Sequence, residues 1–300
     1  MIPPTRRLSV RHKTEFTYTG AAFESVNEVR LCPVHGPRQR VEMAEFEVTP
    51  SAEVSTFFDA FGNGVWWCQV VPAHEVLTLE ARATIATAAP PRPVATLAVA
   101  AEWAAVSGEQ YQDHLAEYIV PSPRVQLPTS VVDFSRDIQV TEADGVAPWA
   151  DQLARALNGT LIYERGTTDV DTPVAEVIVH GRGVCQDFAH VFVACCRIRG
   201  VAARYVSGWL HATDNDAPAE SHAWAEVRLP DGAWYELDPT HPGEVDDRYV
   251  RIAVGRDYGD VMPVRGVYRG GVTERMTVAV EMRDLDMDPA VCRSGSGPTP

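Results

Sequence analysis

Three residues of this chain have the types and settings that nucleophilic chemistry needs: Cys185, His222 and Asp238. Cys185 lies in GRGVCQDFAHVFVACCRIRG, residues 181–200. Behind it Phe188, Val191, Phe192, Cys195 and Ile198 recur every three or four residues, which predicts one face of an α-helix. Cys185 is therefore expected at or beside the helix N-terminus. Unpaired N–H groups and the positive end of the helix dipole stabilise an anion there, and the thiolate is the nucleophilic form of cysteine. Gly183 is read as allowing a tight turn and leaving room for a substrate. A nucleophilic cysteine needs a base, and the base needs an orienting partner. His222 opens the alternating segment SHAWAEVRL, and Asp238 ends AWYEL just before Pro239. If residues 228–232 form the hairpin loop, the two become cross-strand neighbours. A two-residue turn at Asp231-Gly232 would shift that register by three.

The elements that must position these residues follow from pattern and punctuation. Residues 1–88 read as an N-terminal β-sandwich domain of short alternating strands, with turn signals at Pro33–Pro37, Thr49–Ser51 and Gly62–Gly64. Residues 89–148 read as a proline-rich linker, AAPPRP at 88–93, followed by a helical connector. Residues 149–285 read as a core carrying the cysteine helix and the alternating strands, and 286–300 as a disordered tail. The helix is predicted to stop at Gly200, with Arg197 and Arg199 in its last turn. The fold class is α+β.

Composition excludes several classes. The chain has 300 residues, 45% hydrophobic and 22% charged, which suits a soluble globular protein of about two domains. A net charge of −15 argues against nucleic acid or an anionic membrane as partner. The six cysteines show neither zinc-type spacing nor a disulfide framework. Cys185 and Cys195 would stand about 15 Å apart along the helix, too far for a bond. The segment MIPPTRRLSVRH lacks the apolar run of a signal peptide, and no run reaches membrane-spanning length. A reduced, cytoplasmic protein is expected.

The chain order of cysteine, helix, then strands bearing histidine and aspartate resembles the papain-like thiol enzymes. More specifically, GVCQDFAHVFVACCRIRGVAARYVSGWL, SHAWAEV and WYELDPTH resemble the transglutaminase-like superfamily. The resemblance continues through residues 247–270. The VRLCP segment (29–33) and DAFGN segment (59–63) are similar to the β-rich domain preceding that core in bacterial members. Carried over by motif, the resemblance implies a papain-like core with Cys185, His222 and Asp238 as triad. It implies acyl transfer or hydrolysis of a peptide or small amide through a cysteine thioester, with water or an amine as acceptor. A catalytically silent binding module or a scaffold with the same core stands as the alternative.

The Cys185 N–H is the expected first oxyanion donor, with the side chain of Tyr163 or Gln186 as candidate second donor; packing and capping are their ordinary roles. Trp209, Trp224 and Tyr258 are candidates to line a substrate cleft, core packing being the alternative for the tryptophans. Asp187 is expected to favour the helix start, His190 to serve as a structural hydrogen-bonding residue, and Cys195 and Cys196 as core sulfur. No calcium-loop pattern or ligand cluster appears, so neither metal nor cofactor is expected.

Overall fold

The computed structural model describes residues 3–138, 140–211, 220–243 and 245–286. The expected tail therefore falls, Asp286 apart, outside the described residues. The chain runs β1 (Arg6–Cys32), β2 (Gln39–Thr49), β3 (Val54–Phe58), β4 (Gly64–Val70), β5 (His74–Thr87), α1 (Val99–Val106), α2 (Glu109–His114), α3 (Thr129–Asp137), α4 (Val146–Thr160) and β6 (Ile162–Tyr163). It continues through α5 (Val174–His180), β7 (Arg182–Gly183), α6 (Cys185–Ile198), β8 (Ala203–Leu210), β9 (Glu220–Arg228), β10 (Trp234–Leu237), β11 (Tyr249–Gly255), α7 (Tyr258–Val261), β12 (Val264–Arg269) and β13 (Glu274–Asp284). The α+β class is as expected.

The N-terminal region is a single curled antiparallel sheet. Strand alternation buries Leu8, Val10, His12, Thr14 and Phe16 on one face of β1. The first half of β1 pairs with β5, and β5 with β2; the second half pairs with β4, and β4 with β3. The halves join at a bend where Glu24 takes a left-handed φ of 51° and the pairing register breaks on both sides. One continuous strand shared by both halves is what curls the sheet.

The last strands depart from the expected domain order. β12 pairs with β1 at Phe23–Val29, and β13 pairs with β1 from Leu8 to Tyr18. Residues 264–284 thus complete the N-terminal sheet, although the core was expected to run to 285. Alternation marks such a segment as strand but carries no information on its pairing partner.

The core is built around α6, which is buried along most of its length. Ala203, Ala225, Val227 and Leu237, from the sheet ordered β10-β9-β8-β11, join α6 in one hydrophobic cluster with α4 and α5. Further along the same face, Tyr205, Trp209 and Ala223 join a second cluster with Leu8, Val10 and Phe16 of the curled sheet. The core sheet is therefore sandwiched between helices at one end and the N-terminal sheet at the other. The helical connector also packs onto the core: Trp103 meets Trp149 edge-on at 5.7 Å, and Gln112 Nε2 donates to Gly200 O at 2.8 Å.

Polar contacts lock the two parts together. Asn63 of the DAFGN segment donates from Nδ2 to Val254 O and accepts from Val254 N, both at 2.8 Å. Asp59 holds that turn by accepting from Phe61 N and Asn63 N, each at 3.0 Å. Arg38 reaches across to Glu236 at 2.6 Å and to Tyr249 O at 2.7 Å, all buried. β10 and β11 of the core are thus tied to the N-terminal region.

Candidate active site

Cys185 is the first residue of α6 and is half-buried. Its position is set by a first-turn cap. Asp187 Oδ2 accepts from Val184 N at 2.8 Å and from Thr168 Oγ1 at 2.6 Å. Burial raises the Asp187 carboxyl against those hydrogen bonds. This cap explains Gly183: a Cβ there would stand 2.5 Å from Asp187 Oδ2 and 2.7 Å from its Cβ. Gly183 sits in the short parallel pair with β6, so its role is close approach by Asp187, where a tight turn was expected.

His222 lies in β9 opposite Gly208 of β8. Its Nε2 donates to Asp238 Oδ2 at 2.7 Å, and Cys185, bordering the same cavity, also favours the ring's charge. Since Nε2 is taken by the carboxylate, Nδ1 is the nitrogen left for the thiol. Burial disfavours the imidazolium, but Asp238 and Cys185 outweigh it and hold His222 at about 10. Asp238 is the complement. Burial works against its charge, yet His222 and His241 keep it well below the ordinary carboxylate range.

The hairpin register differs from the one considered in the sequence. Arg228 pairs with Trp234 and Ala225 with Leu237, so by extension His222 stands opposite Thr240. The shift is two residues, which keeps His222 and Asp238 on the same side of the ladder. Asp238 comes immediately after the last β10 residue, and its Oδ1 accepts from Thr240 N at 2.8 Å and His241 N at 3.3 Å. A turn-forming aspartate thus doubles as the imidazole's partner.

Two further side chains hold Asp238 Oδ2: Tyr249 Oη donates at 2.9 Å, and His241 Nδ1 lies at 3.1 Å. Tyr249 was not singled out in the sequence; it lies 11 residues away on another strand, and no spacing rule links it to Asp238. His222, Asp238 and His241 offer three ligand-type atoms within 4.8 Å of one another. In this structure both histidines face the same carboxylate oxygen by hydrogen bonding.

The remaining candidates separate. Gln186 is buried, borders the same cavity as Cys185 and His222, and donates to Val170 O at 3.4 Å. Tyr258 borders that cavity too, and its N–H donates to His190 Nε2 at 3.1 Å. Tyr163 lies opposite Gly183, 44% exposed, with its ring on Phe188 at 6.3 Å, and is not part of the cavity wall. Trp209 and Trp224 are fully buried and are not part of that wall either. Trp209 Nε1 donates to His12 Nδ1 at 3.0 Å. Trp224 stacks beside His222 at 6.2 Å and donates to Glu236 Oε2 at 3.1 Å. Large aromatic side chains on alternating strands bury when a second sheet covers them, and here the N-terminal sheet covers Trp209.

The other described cysteines are free and unlike Cys185 in setting. Burial pushes Cys68 up to about 11 and Cys195 to about 12, and raises Cys32 and Cys196. No helix among the described residues is long and apolar enough to cross a membrane.

Residues 133–239 match the transglutaminase-like superfamily, and residues 8–86 match the bacterial transglutaminase-like N-terminal region. An uncharacterised protein of Mycobacterium leprae is 30% identical over 284 residues, covering 93% of this chain and 99% of that one. The chain belongs to the transglutaminase-like superfamily. An uncharacterised protein of Mycobacterium tuberculosis is similarly related, at 31% identity over 95% of both chains. Among solved structures, a candidate cysteine protease from Cytophaga hutchinsonii shares the fold, with a TM-score of 0.72 and 19% identity over 94% of this chain and 92% of that one.

Proposed function

We propose that this transglutaminase-like protein is a thiol-dependent amide or peptide hydrolase acting through a Cys185 thioester. The observation that carries the reading is one imidazole, His222, which is hydrogen-bonded to the buried Asp238 carboxylate, borders one cavity with Cys185 and has its charge favoured by both. The Cys185 thiolate attacks the amide carbon, and its electron pair forms the C–S bond while the carbonyl oxygen becomes an oxyanion. The Cys185 N–H at the helix start is the candidate donor to that charge, with the side chain of Gln186, which borders the same cavity, as the candidate second donor. The imidazolium of His222 gives its proton to the leaving amine as the C–N bond breaks. Neutral His222 then takes a proton from the acceptor water, which attacks the thioester and returns the thiolate. Asp238 keeps a proton on Nε2, so Nδ1 is the nitrogen that exchanges it.

The test is intact-mass detection of an acyl adduct on Cys185 after incubation with a peptide and amide library, alongside product analysis. An adduct in the wild-type protein and none in Cys185→Ala supports the reading. Equal product formation by both proteins, or neither adduct nor product in the wild type, overturns it. Adding an amine to the same reaction distinguishes acceptors, since transfer yields a new amide in place of the acid.

A further inference from the structure

Cys185 and His222 open into a cavity of about 600 Å³ whose opposite wall is the N-terminal sheet. That volume is within the usual span for small-ligand sites, roughly 300–1,000 Å³. The cavity is bordered mainly by apolar groups, among them Phe16 and Met276. Four β1 residues on this wall are buried and polar: His12, Thr14 and Ser25 at 1% exposure each and Asn27 at 5%; Ser25 Oγ is already paired with His74 Nε2 at 3.0 Å. His12 Nε2, Thr14 Oγ1 and Asn27 Nδ2 have no hydrogen-bond partner. A buried polar atom without a partner is costly, and native proteins keep few of them.

The protonation of His12 follows from its neighbour. Trp209 Nε1 can only donate, and it donates to His12 Nδ1, so the neutral ring carries its hydrogen on Nε2. Burial lowers His12 to about 4, so the ring is uncharged near neutral pH. The wall therefore offers a ring N–H, an amide NH₂ and a hydroxyl. The charged cavity residues of this wall, Arg265 and Glu274, are exposed and of opposite sign.

We infer that β1 builds an acyl-group recognition site for an uncharged, largely apolar group carrying a carbonyl-type acceptor, read by His12, Thr14 and Asn27. The inference rests on the thioester reading of Cys185, whose acyl donor it describes. These donor atoms are fully covered in this structure, so an acceptor oxygen meets them as their side chains turn toward the cavity; it then satisfies donors that otherwise lack partners, which favours binding over a purely apolar analogue. A carboxylate in the same place finds no buried cation on this wall and is disfavoured.

The test uses the full chain and four reagents: chloroacetamide, and N-benzyl-, N-(4-carbamoylbenzyl)- and N-(4-carboxybenzyl)chloroacetamide. The second-order rate of Cys185 alkylation is read by intact mass and peptide mapping. The carbamoyl reagent is expected to react at least fivefold faster than the benzyl reagent, and the carboxy reagent more slowly than either. Thr14→Val and Asn27→Leu should bring the carbamoyl-to-benzyl ratio toward one while raising the melting temperature, because each removes an unpartnered buried group. A merely structural role for these residues would lower the melting temperature and leave the ratio alone. A wild-type ratio near one, or a ratio that survives both substitutions, overturns the inference. Thr14→Val, nearly isosteric, serves if Asn27→Leu does not fold. In Cys185→Ser, non-reactive N-(4-carbamoylbenzyl)acetamide should raise the melting temperature more than N-benzylacetamide. That result, together with absent thioester chemistry in the wild type, would refute the hydrolase reading and leave the recognition site standing.

Discussion

Replacing Asp238 by asparagine should convert His222 from a held imidazolium into an ordinary buried imidazole. In the folded protein His222 sits at about 10 against an ordinary 6.5, with burial opposing and Asp238 and Cys185 supporting its charge. At about 1.36 kcal/mol per pH unit, that difference is on the order of 5 kcal/mol favouring the charged ring. The Asp238→Asn substitution removes the anion that lies 2.7 Å from Nε2 and leaves the burial penalty. With only Cys185 left to oppose that penalty, the ring should then titrate far below 10, toward the ordinary 6.5. The assay is the imidazole Cε1–H shift of His222 followed by NMR, with iodoacetamide alkylation of Cys185 measured alongside. The wild-type ring should stay protonated to about pH 10. At about pH 7.5 the variant should be neutral and its Cys185 alkylated at least roughly tenfold more slowly, since the thiolate loses its cationic partner. Stability carries the same signature. His222 contributes fully below pH 6.5, and the contribution is lost as pH rises through about 10; Asp238, depressed, contributes above its ordinary 3.8 and loses this as pH falls. The stability gap between wild type and variant should be widest between about pH 4 and 6.5 and narrow toward pH 10. A wild-type ring titrating near 6.5, or one unmoved by Asp238→Asn, would refute the reasoning.

Other expectations rest on single contacts. Tyr249→Phe removes one donor from Asp238 Oδ2 and should cost about 1 kcal/mol of stability, read by urea unfolding, with a reduced turnover on any substrate identified. Asp187→Ala deletes the cap at Val184 and should cost about 1 kcal/mol while slowing Cys185 alkylation, because the helix start loses its anchor. Gly208→Ala should destabilise by more than about 2 kcal/mol or prevent folding, since the new Cβ would meet the Trp224 ring and Val250 O, each at 2.3 Å. Iodoacetamide at neutral pH should label Cys185 before Cys32, Cys68, Cys195 and Cys196, whose thiols burial disfavours from ionising; peptide mapping by mass spectrometry would expose any other order.

Much of this was legible in the chain because local physics writes it there. The three- and four-residue spacing after Cys185 specifies the α6 face, and the alternation of residues 203–237 specifies its strands. The order of cysteine, histidine and aspartate with their motifs identified the residues that the fold brings together. What the sequence left open is pairing between distant segments. Alternation made residues 274–284 a strand, but only the tertiary structure placed it on β1. The hairpin register turned on a loop whose length is settled by its own hydrogen bonds, Leu229 N to Ala233 O and Gly232 N to Leu229 O. Trp209 and Trp224 are aromatic in sequence wherever they go; burial by a second sheet and by Gly208 decided that they pack. His12, Thr14 and Asn27 are ordinary strand residues until the curl of β1 turns them toward the cavity shared with Cys185. The sequence alone thus picked out the candidate nucleophile, base and orienting residue and determined the helix that presents the thiol, because those signals lie in neighbours within a few residues. The cavity facing that thiol, and its unpartnered donors, were decided only by the tertiary structure, because they arise from contacts between β1 and the segments bearing Cys185 and His222, which lie far apart along the chain.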